Sequence, residues 1–285
     1  MNFKEYLQQK QYSNTTVSRY TEGIENFLTW LHQEDIKEAL FTYNDVLDFM
    51  RHCHSKGISK RSVHNILCMV RHYCNYLISE GKRNDNPAAG VFIKGMVRKL
   101  PTNLLSIEEL EELYKQYSIQ LNVDASKKIM LGLMIYQGVT VGEIMRLQRH
   151  HFKLKDGKVF INGTKRTNER TLHLHAVQIP ELQSYLQKNK FKEGALFKEF
   201  CKTPVSENNI NNRLQYMFKQ LKLLNANVIN AKQIRSSVIT EWLRKNHLRQ
   251  VQYMAGHKYV SSTTRYQANN LDDLQSELER HHPMS

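Results

Sequence analysis

The sequence predicts a mainly α-helical protein of two domains with one small antiparallel β element, and three observations carry that expectation. Residues 1 to 83 contain no proline and only Gly23, Gly57 and Gly81, and their apolar residues recur at three- and four-residue spacing, the period of a helix with one buried face. Asn84 to Pro101 then gathers Pro87, Gly90, Gly95 and Pro101, a composition that interrupts regular structure. Helical spacing resumes beyond it and breaks once, at Lys158 to His175. At 285 residues the chain is long enough for two domains with separate cores.

In order along the chain, Val17, Tyr20, Ile24, Phe27, Leu28 and Leu31 make the first apolar stripe, on a helix over Thr16 to Leu31. A second helix spans Ser59 to Glu80, with Val63, Ile66, Leu67, Val70, Tyr73, Cys74 and Leu77 inward and Gly81 at its C-terminus. Its opposite face carries Lys60, His64, Arg71 and Asn75. The helical domain occupies 1–86, and a basic linker at 87–105 includes Lys94, Arg98 and Lys99. The second domain, 106–285, opens at Ser106, where Ser-x-x-Glu with Glu109 is a capping box before an apolar run. In Lys158 to His175, Val159/Ile161 and Leu172/Leu174 flank a polar, Gly-containing turn, which predicts a β-hairpin. A helix at about 269–281, with Leu271, Leu274 and Leu278 on one narrow stripe, closes the chain.

Charge narrows the function. The 41 Lys and Arg outnumber 27 Asp and Glu, for a net +14, a field suited to nucleic acid or an anionic membrane surface. Residues 51 to 100 hold ten Lys and Arg against two acids, so the face of Lys60, His64, Arg71 and Asn75 is expected to contact phosphates, the competing account being an ordinary solvated surface. No apolar run of membrane-spanning length occurs, and the N-terminus has no signal-peptide pattern. Cys53, Cys68, Cys74 and Cys201 form no CxxC pair. These features predict a soluble cytoplasmic protein with reduced thiols. The pairs His150/His151, His173/His175 and His281/His282 have no convergent acid or cysteine spacing, so no metal and no cofactor is expected.

The C-terminal third is more specific. Lys232-Gln233-Ile234-Arg235 is followed by Gly256-His257 and then by Tyr266, within Ser262-Thr263-Thr264-Arg265-Tyr266. This ordered set resembles the tyrosine recombinases of the phage integrase family, in which a His-x-x-Arg helix, a Leu-Gly-His motif and a nucleophilic tyrosine follow one another. The resemblance covers nearly the whole chain. It implies an N-terminal helical-bundle core-binding domain and an α-rich catalytic domain with a small β-hairpin or sheet. It also implies DNA cleavage and rejoining through a 3′-phosphotyrosyl intermediate without metal or ATP, in an integrase or transposase of a mobile element. Aligning the hairpin on Glu169-Arg170 puts the family's general-acid lysine at Lys165. The terminal helix would then pack on a neighbour, linking a homo-tetramer on two DNA sites; docking on its own domain is the plainer alternative.

The residue types suit the chemistry. A tyrosyl ester conserves the energy of the phosphodiester for rejoining. The phosphorane gathers charge on its non-bridging oxygens, which Arg235, Lys232 and His257 are suited to receive. Lys165 would protonate the leaving 5′ oxygen.

One position departs from the pattern. Where the family places its first arginine, in Gly-Leu-Arg-x-x-Glu, this chain reads Gly138-Val139-Thr140-Val141-Gly142-Glu143. Arg146 and Arg149 sit about 240° and 180° around a helix from Thr140 and do not replace it. Thr140 with Glu143 instead forms a Thr-x-x-Glu capping box. Lys232 in place of histidine is a milder change. Two readings follow: a working recombinase with a substitute for that arginine, or a weak or inactive DNA-binding relative serving as a regulator or accessory subunit.

Overall fold

The computed structural model describes residues 1–95, 103–119, 125–164, 167–188, 196–197 and 207–267. The chain divides into two compact units, Met1–Arg98 and Lys99–Ser285.

The first unit is built on α1 (Phe3–Gln9), α2 (Asn14–Gln33), α3 (Tyr43–Ser55) and α4 (Lys60–Ser79). Side-chain oxygens start each of them: Asn2, Ser13, Thr42 and Ser59 accept a backbone N–H from the first turn, satisfying donors that no helix can pair internally. Of the first stripe, Val17, Ile24, Phe27 and Leu31 are buried, while Tyr20 and Leu28 are partly so. α2 and α4 approach closely at Gly23, where an added Cβ would lie 2.2 Å from the Met69 sulfur. Six of the seven inward residues of α4 are buried and Ile66 partly so. Gly81 has φ +66°, the left-handed conformation favoured just past a helix end. Ala88 and Val91 are buried in this same core, and Arg71 fastens them by donating to both of their carbonyls.

In the second unit α6 (Ala125–Tyr136) is the central helix. Its residues Ile129 to Ile135 are all buried, and it packs against α5 (Ile107–Ile119), α8 (Ile179–Lys188) and α10 (Ala231–Lys245), with α9 (Glu207–Leu224) on α5. The expected capping box at Ser106 forms, with Glu109 Oε2 accepting from Ser106 N at 2.8 Å. α7 (Val141–Ile144) is a single turn. The hairpin is β2 (Lys158–Ile161) and β3 (Arg170–His173), paired Val159 with Leu172 and Ile161 with Arg170. A third strand, β1 (Phe152–Lys153), lies antiparallel on β2 and makes the element the small sheet that the resemblance allows; two residues are too few for alternation to announce, so the spacing alone predicts only the hairpin. In the order β1-β2-β3, Val159, Ile161 and Leu172 point into the core. α11 (Leu248–Ala255) and α12 (261–267) complete the described part. The expected terminal helix at 269–281 and Cys201 lie outside the described residues. Among those residues no helix is long and apolar enough to cross a membrane.

Candidate active site

Arg235 sits in the second turn of α10, where Asn230 caps the helix start and the side chains of Ile234 and Val238 join the core. Its guanidinium is buried and fixed by its neighbours: Nη1 donates to Gly138 O and Nη2 to Ala255 O at 2.6 Å. Burial draws its pKa below the ordinary value, and Glu143 acts against that pull. Two of the five N–H groups of an arginine are thereby spent on position.

Glu143 is the anion of this region. It is 2 % exposed, and its carboxylate accepts from Thr140 N at 2.8 Å, Thr140 Oγ1 at 2.9 Å, and the two terminal nitrogens of Arg170 at 2.6 and 3.2 Å. Arg235 Nη1 is 3.9 Å away. Burial by itself raises this carboxyl, but the Arg170 hydrogen bonds and charge, with help from the Thr140 amide and Arg235, hold it at about 2. Arg235 and Arg170 against Glu143 leave the cluster one net positive charge, available to an anion.

The cap at Thr140 is the box its sequence predicts, with Thr140 Oγ1 accepting from Glu143 N at 3.3 Å. Arg149 donates to Leu186 O at 2.6 Å and Arg146 is exposed, its guanidinium beside Gly142. Neither joins the Glu143 cluster.

His257 follows Gly256, which ends α11 at φ +68°. A Cβ at 256 would lie 2.5 Å from Arg170 Nη1 and 3.0 Å from Asn168 O, so glycine is required both by backbone conformation and by space. The His257 ring is paired at Nδ1 with Thr263 Oγ1 (2.9 Å), and Thr263 is fully buried. Its plane is within 13° of the Tyr266 ring, with centroids 5.9 Å apart. Burial first, then the charges of Arg235 and Arg170, lower the His257 pKa to about 4; it is neutral at pH 7. Tyr266, on α12, packs against the small cluster of Ile239, Val251 and Ala255.

Arg235, His257 and Tyr266 are thus brought together, with Thr140 joined to them through Glu143. Lys232 is exposed on the first turn of α10. Lys165 lies outside the described residues, as do Arg98 and Lys99; Thr164 and Thr167, on either side of Lys165, bond to each other, Thr164 N to Thr167 O at 2.8 Å. Arg170, which in the sequence served only to align the hairpin, is the largest fully buried side chain among the described residues. Its signal was the pairing with Glu143, which spans 27 residues and has no local pattern.

In the first unit Lys60 and Lys94 are exposed. The other expected phosphate contacts have internal partners: Arg71 holds Ala88 and Val91 and lies 5.2 Å from the Phe92 ring, Asn75 Oδ1 accepts from Asn86 at 2.8 Å, and His64 Nε2 is 3.7 Å from Cys68 Sγ. Among the histidine pairs, His175 stacks on Tyr136 at 4.5 Å and His151 accepts from Gln148 N at 3.0 Å.

Comparison with known proteins places this geometry. The profile of the phage integrase family matches residues 103–272, and that of the phage integrase N-terminal SAM-like domain matches residues 1–81. Tyrosine recombinase XerC of Bacillus pumilus is 26 % identical over 293 residues, covering 99 % of this chain and 95 % of the relative. The TnP I resolvase of Bacillus thuringiensis is 23 % identical, with 97 % of each chain covered. Among solved structures, the Tn1549 transposon integrase in complex with circular intermediate DNA shares the fold at a TM-score of 0.67 and 13 % identity, covering 93 % of this chain and 95 % of that one. A lambda integrase tetramer bound to a Holliday junction does so at 0.65 and 16 %, covering 93 % and 74 %. With its C-terminal unit matched over most of its length and its N-terminal unit matched as well, the chain belongs to the phage integrase family and is a tyrosine recombinase.

Proposed function

We propose that the chain cuts and rejoins double-stranded DNA at specific sites with Tyr266 as nucleophile, as the integrase or transposase of a mobile element. The observation that carries this is the convergence of Arg235, His257 and Tyr266 from three separate elements, with the arginine held by Gly138 O and Ala255 O and the histidine ring parallel to the tyrosine. The Tyr266 hydroxyl gives its proton to water, which restores the proton Lys165 donates, and its oxygen bonds to phosphorus as the bond from phosphorus to O5′ breaks. Arg235 and Lys232 balance the negative charge of the phosphorane. His257, neutral at pH 7, donates from Nε2 to a phosphate oxygen while Thr263 occupies Nδ1. Lys165 supplies the proton that O5′ takes up, and the reverse steps rejoin the strand. No metal or ATP is needed in this scheme.

The named relatives support the wider setting: a resolvase and a transposon integrase are among the similar proteins, and a solved tetramer shares the fold. A homo-tetramer on paired DNA sites, joined through residues 269–281, and a cytoplasmic location complete the proposal. Lys60 and Lys94 of the first unit, with Arg98 and Lys99, would contact the DNA backbone.

Thr140 favours a second reading, a DNA-binding relative too slow to recombine and acting as a regulator. A nicked suicide DNA bearing the natural site separates the two. A covalent adduct that disappears in Tyr266→Phe is expected; tight binding of the site with no adduct would overturn the enzymatic reading in favour of the second.

A further inference from the structure

β3 is an edge strand, and the outward N–H and C=O groups of an edge need partners. At Thr171 both outward groups meet one side chain: the Tyr253 phenol accepts from Thr171 N at 3.1 Å and donates to Thr171 O at 3.4 Å. Arg170 Nε donates to Met254 O at 2.8 Å, Asn168 N donates to Gly256 O at 2.8 Å, and Thr167 forms an antiparallel bridge with His257. Each step back along 171 to 167 is matched by a step forward along 253 to 257. That is the register of an antiparallel strand pair, although Tyr253 and Met254 belong to the last turn of α11. A helix end cannot offer β3 a backbone ladder, and the phenol supplies one rung in its place.

We propose that Tyr253 is a positioning residue for His257, holding the end of α11 in register with the β-hairpin so that the imidazole stays beside Tyr266 and Arg235. Of the side chains in this contact, Arg170 is tied into the buried ion pair and its loss would disturb the whole domain. Tyr253 is 53 % exposed, so removing its hydroxyl leaves Thr171 N–H and C=O accessible to water and the fold intact. What is lost is the alignment. This inference rests on the assignment of His257 to the phosphate.

Tyr253→Phe tests it with two independent readouts on the full chain. In the first, which needs no activity, the His257 ring is titrated by NMR. The variant is expected to titrate measurably higher than the parent, toward the ordinary 6.5, as the loosened loop admits water, with an unchanged melting temperature. In the second, adduct formation on the nicked site at saturating DNA is expected to slow roughly three- to tenfold, the range for one net hydrogen bond, with an unchanged Kd. On a His257→Gln background the same substitution is expected to cost nothing more. An unmoved His257 titration, or an equal loss on the His257→Gln background, would overturn the proposal. So would a weaker Kd with an unchanged rate at saturation, which would make Tyr253 a DNA contact. If the parent protein forms no adduct, the enzymatic reading fails by itself and the titration still decides the role of Tyr253.

Discussion

Replacing Thr140 with arginine tests whether position 140 limits the rate. The substitution removes Thr140 Oγ1, which contacts Glu143 Oε2 at 2.9 Å and accepts from Glu143 N at 3.3 Å. It keeps the backbone bond from residue 140 N to Glu143 Oε2 at 2.8 Å. The loss is therefore one helix cap, about 1 kcal/mol, or roughly 2–4 °C in the melting temperature of a domain this size. Against it stands one added cationic donor beside a carboxylate that already gathers Arg170 and has Arg235 at 3.9 Å. A donor to a developing oxyanion is worth about 10²- to 10³-fold in rate. In the free protein two guanidinium neighbours oppose the newcomer, and a bound phosphate relieves that repulsion, so DNA affinity is expected to rise as well. The assay is single-turnover adduct formation on the nicked site, with thermal melting alongside. A gain of at least tenfold with a small loss of stability is expected. A well-folded variant that gains less than about threefold would refute the reasoning, because it would mean that the groups already present hold the phosphate fully.

Four further substitutions have outcomes set by the same structure. Glu143→Gln leaves Arg170 buried without its countercharge and is expected to destabilise the catalytic unit by roughly 3–5 kcal/mol, read by chemical denaturation. Because the folded carboxyl is held at about 2, below its ordinary 4.5, its contribution is fully present above about pH 4.5 and fades as pH falls toward 2; a parent-minus-variant stability difference that stays flat over that window would contradict the ion-pair account. Gly256→Ala places a methyl 2.5 Å from Arg170 Nη1 at a positive φ, and is expected to lower stability by more than 1 kcal/mol and to abolish adduct formation. Lys60→Gln is expected to weaken DNA binding and reduce the salt slope by about one, whereas Arg71→Gln lowers the melting temperature of the N-terminal unit, since Arg71 anchors Ala88 and Val91.

Local features were the ones the sequence displayed. The capping boxes at Ser106 and Thr140, the Gly81 helix end and the stripes of α2 and α4 each depend on residues within a turn or two of one another, and each has the structure its spacing implies. The neighbourhood of Arg235, His257 and Tyr266 was legible only through a family pattern, because nothing local says that α10 and the loop after α11 meet. Arg170 and Arg71 were opaque for a related reason. An arginine looks solvated in sequence, and only distant acceptors, Glu143 for one and the Ala88 and Val91 carbonyls for the other, turn it inward. Tyr253 was invisible as well, since its partner is backbone and backbone carries no sequence signal.

The carboxylate of Glu143 also ties assembly of the candidate site to completion of the chain. Its ligand Arg170 follows it by 27 residues, and the guanidinium of Arg235 that settles on Gly138 comes 97 residues after that carbonyl. On a ribosome the anion and its cap therefore emerge well before the cations that neutralise it, and Tyr266 later still. Under the proposed mechanism a chain that stops short of Tyr266 has no nucleophile, so strand cleavage waits until the catalytic unit has closed around one buried charge.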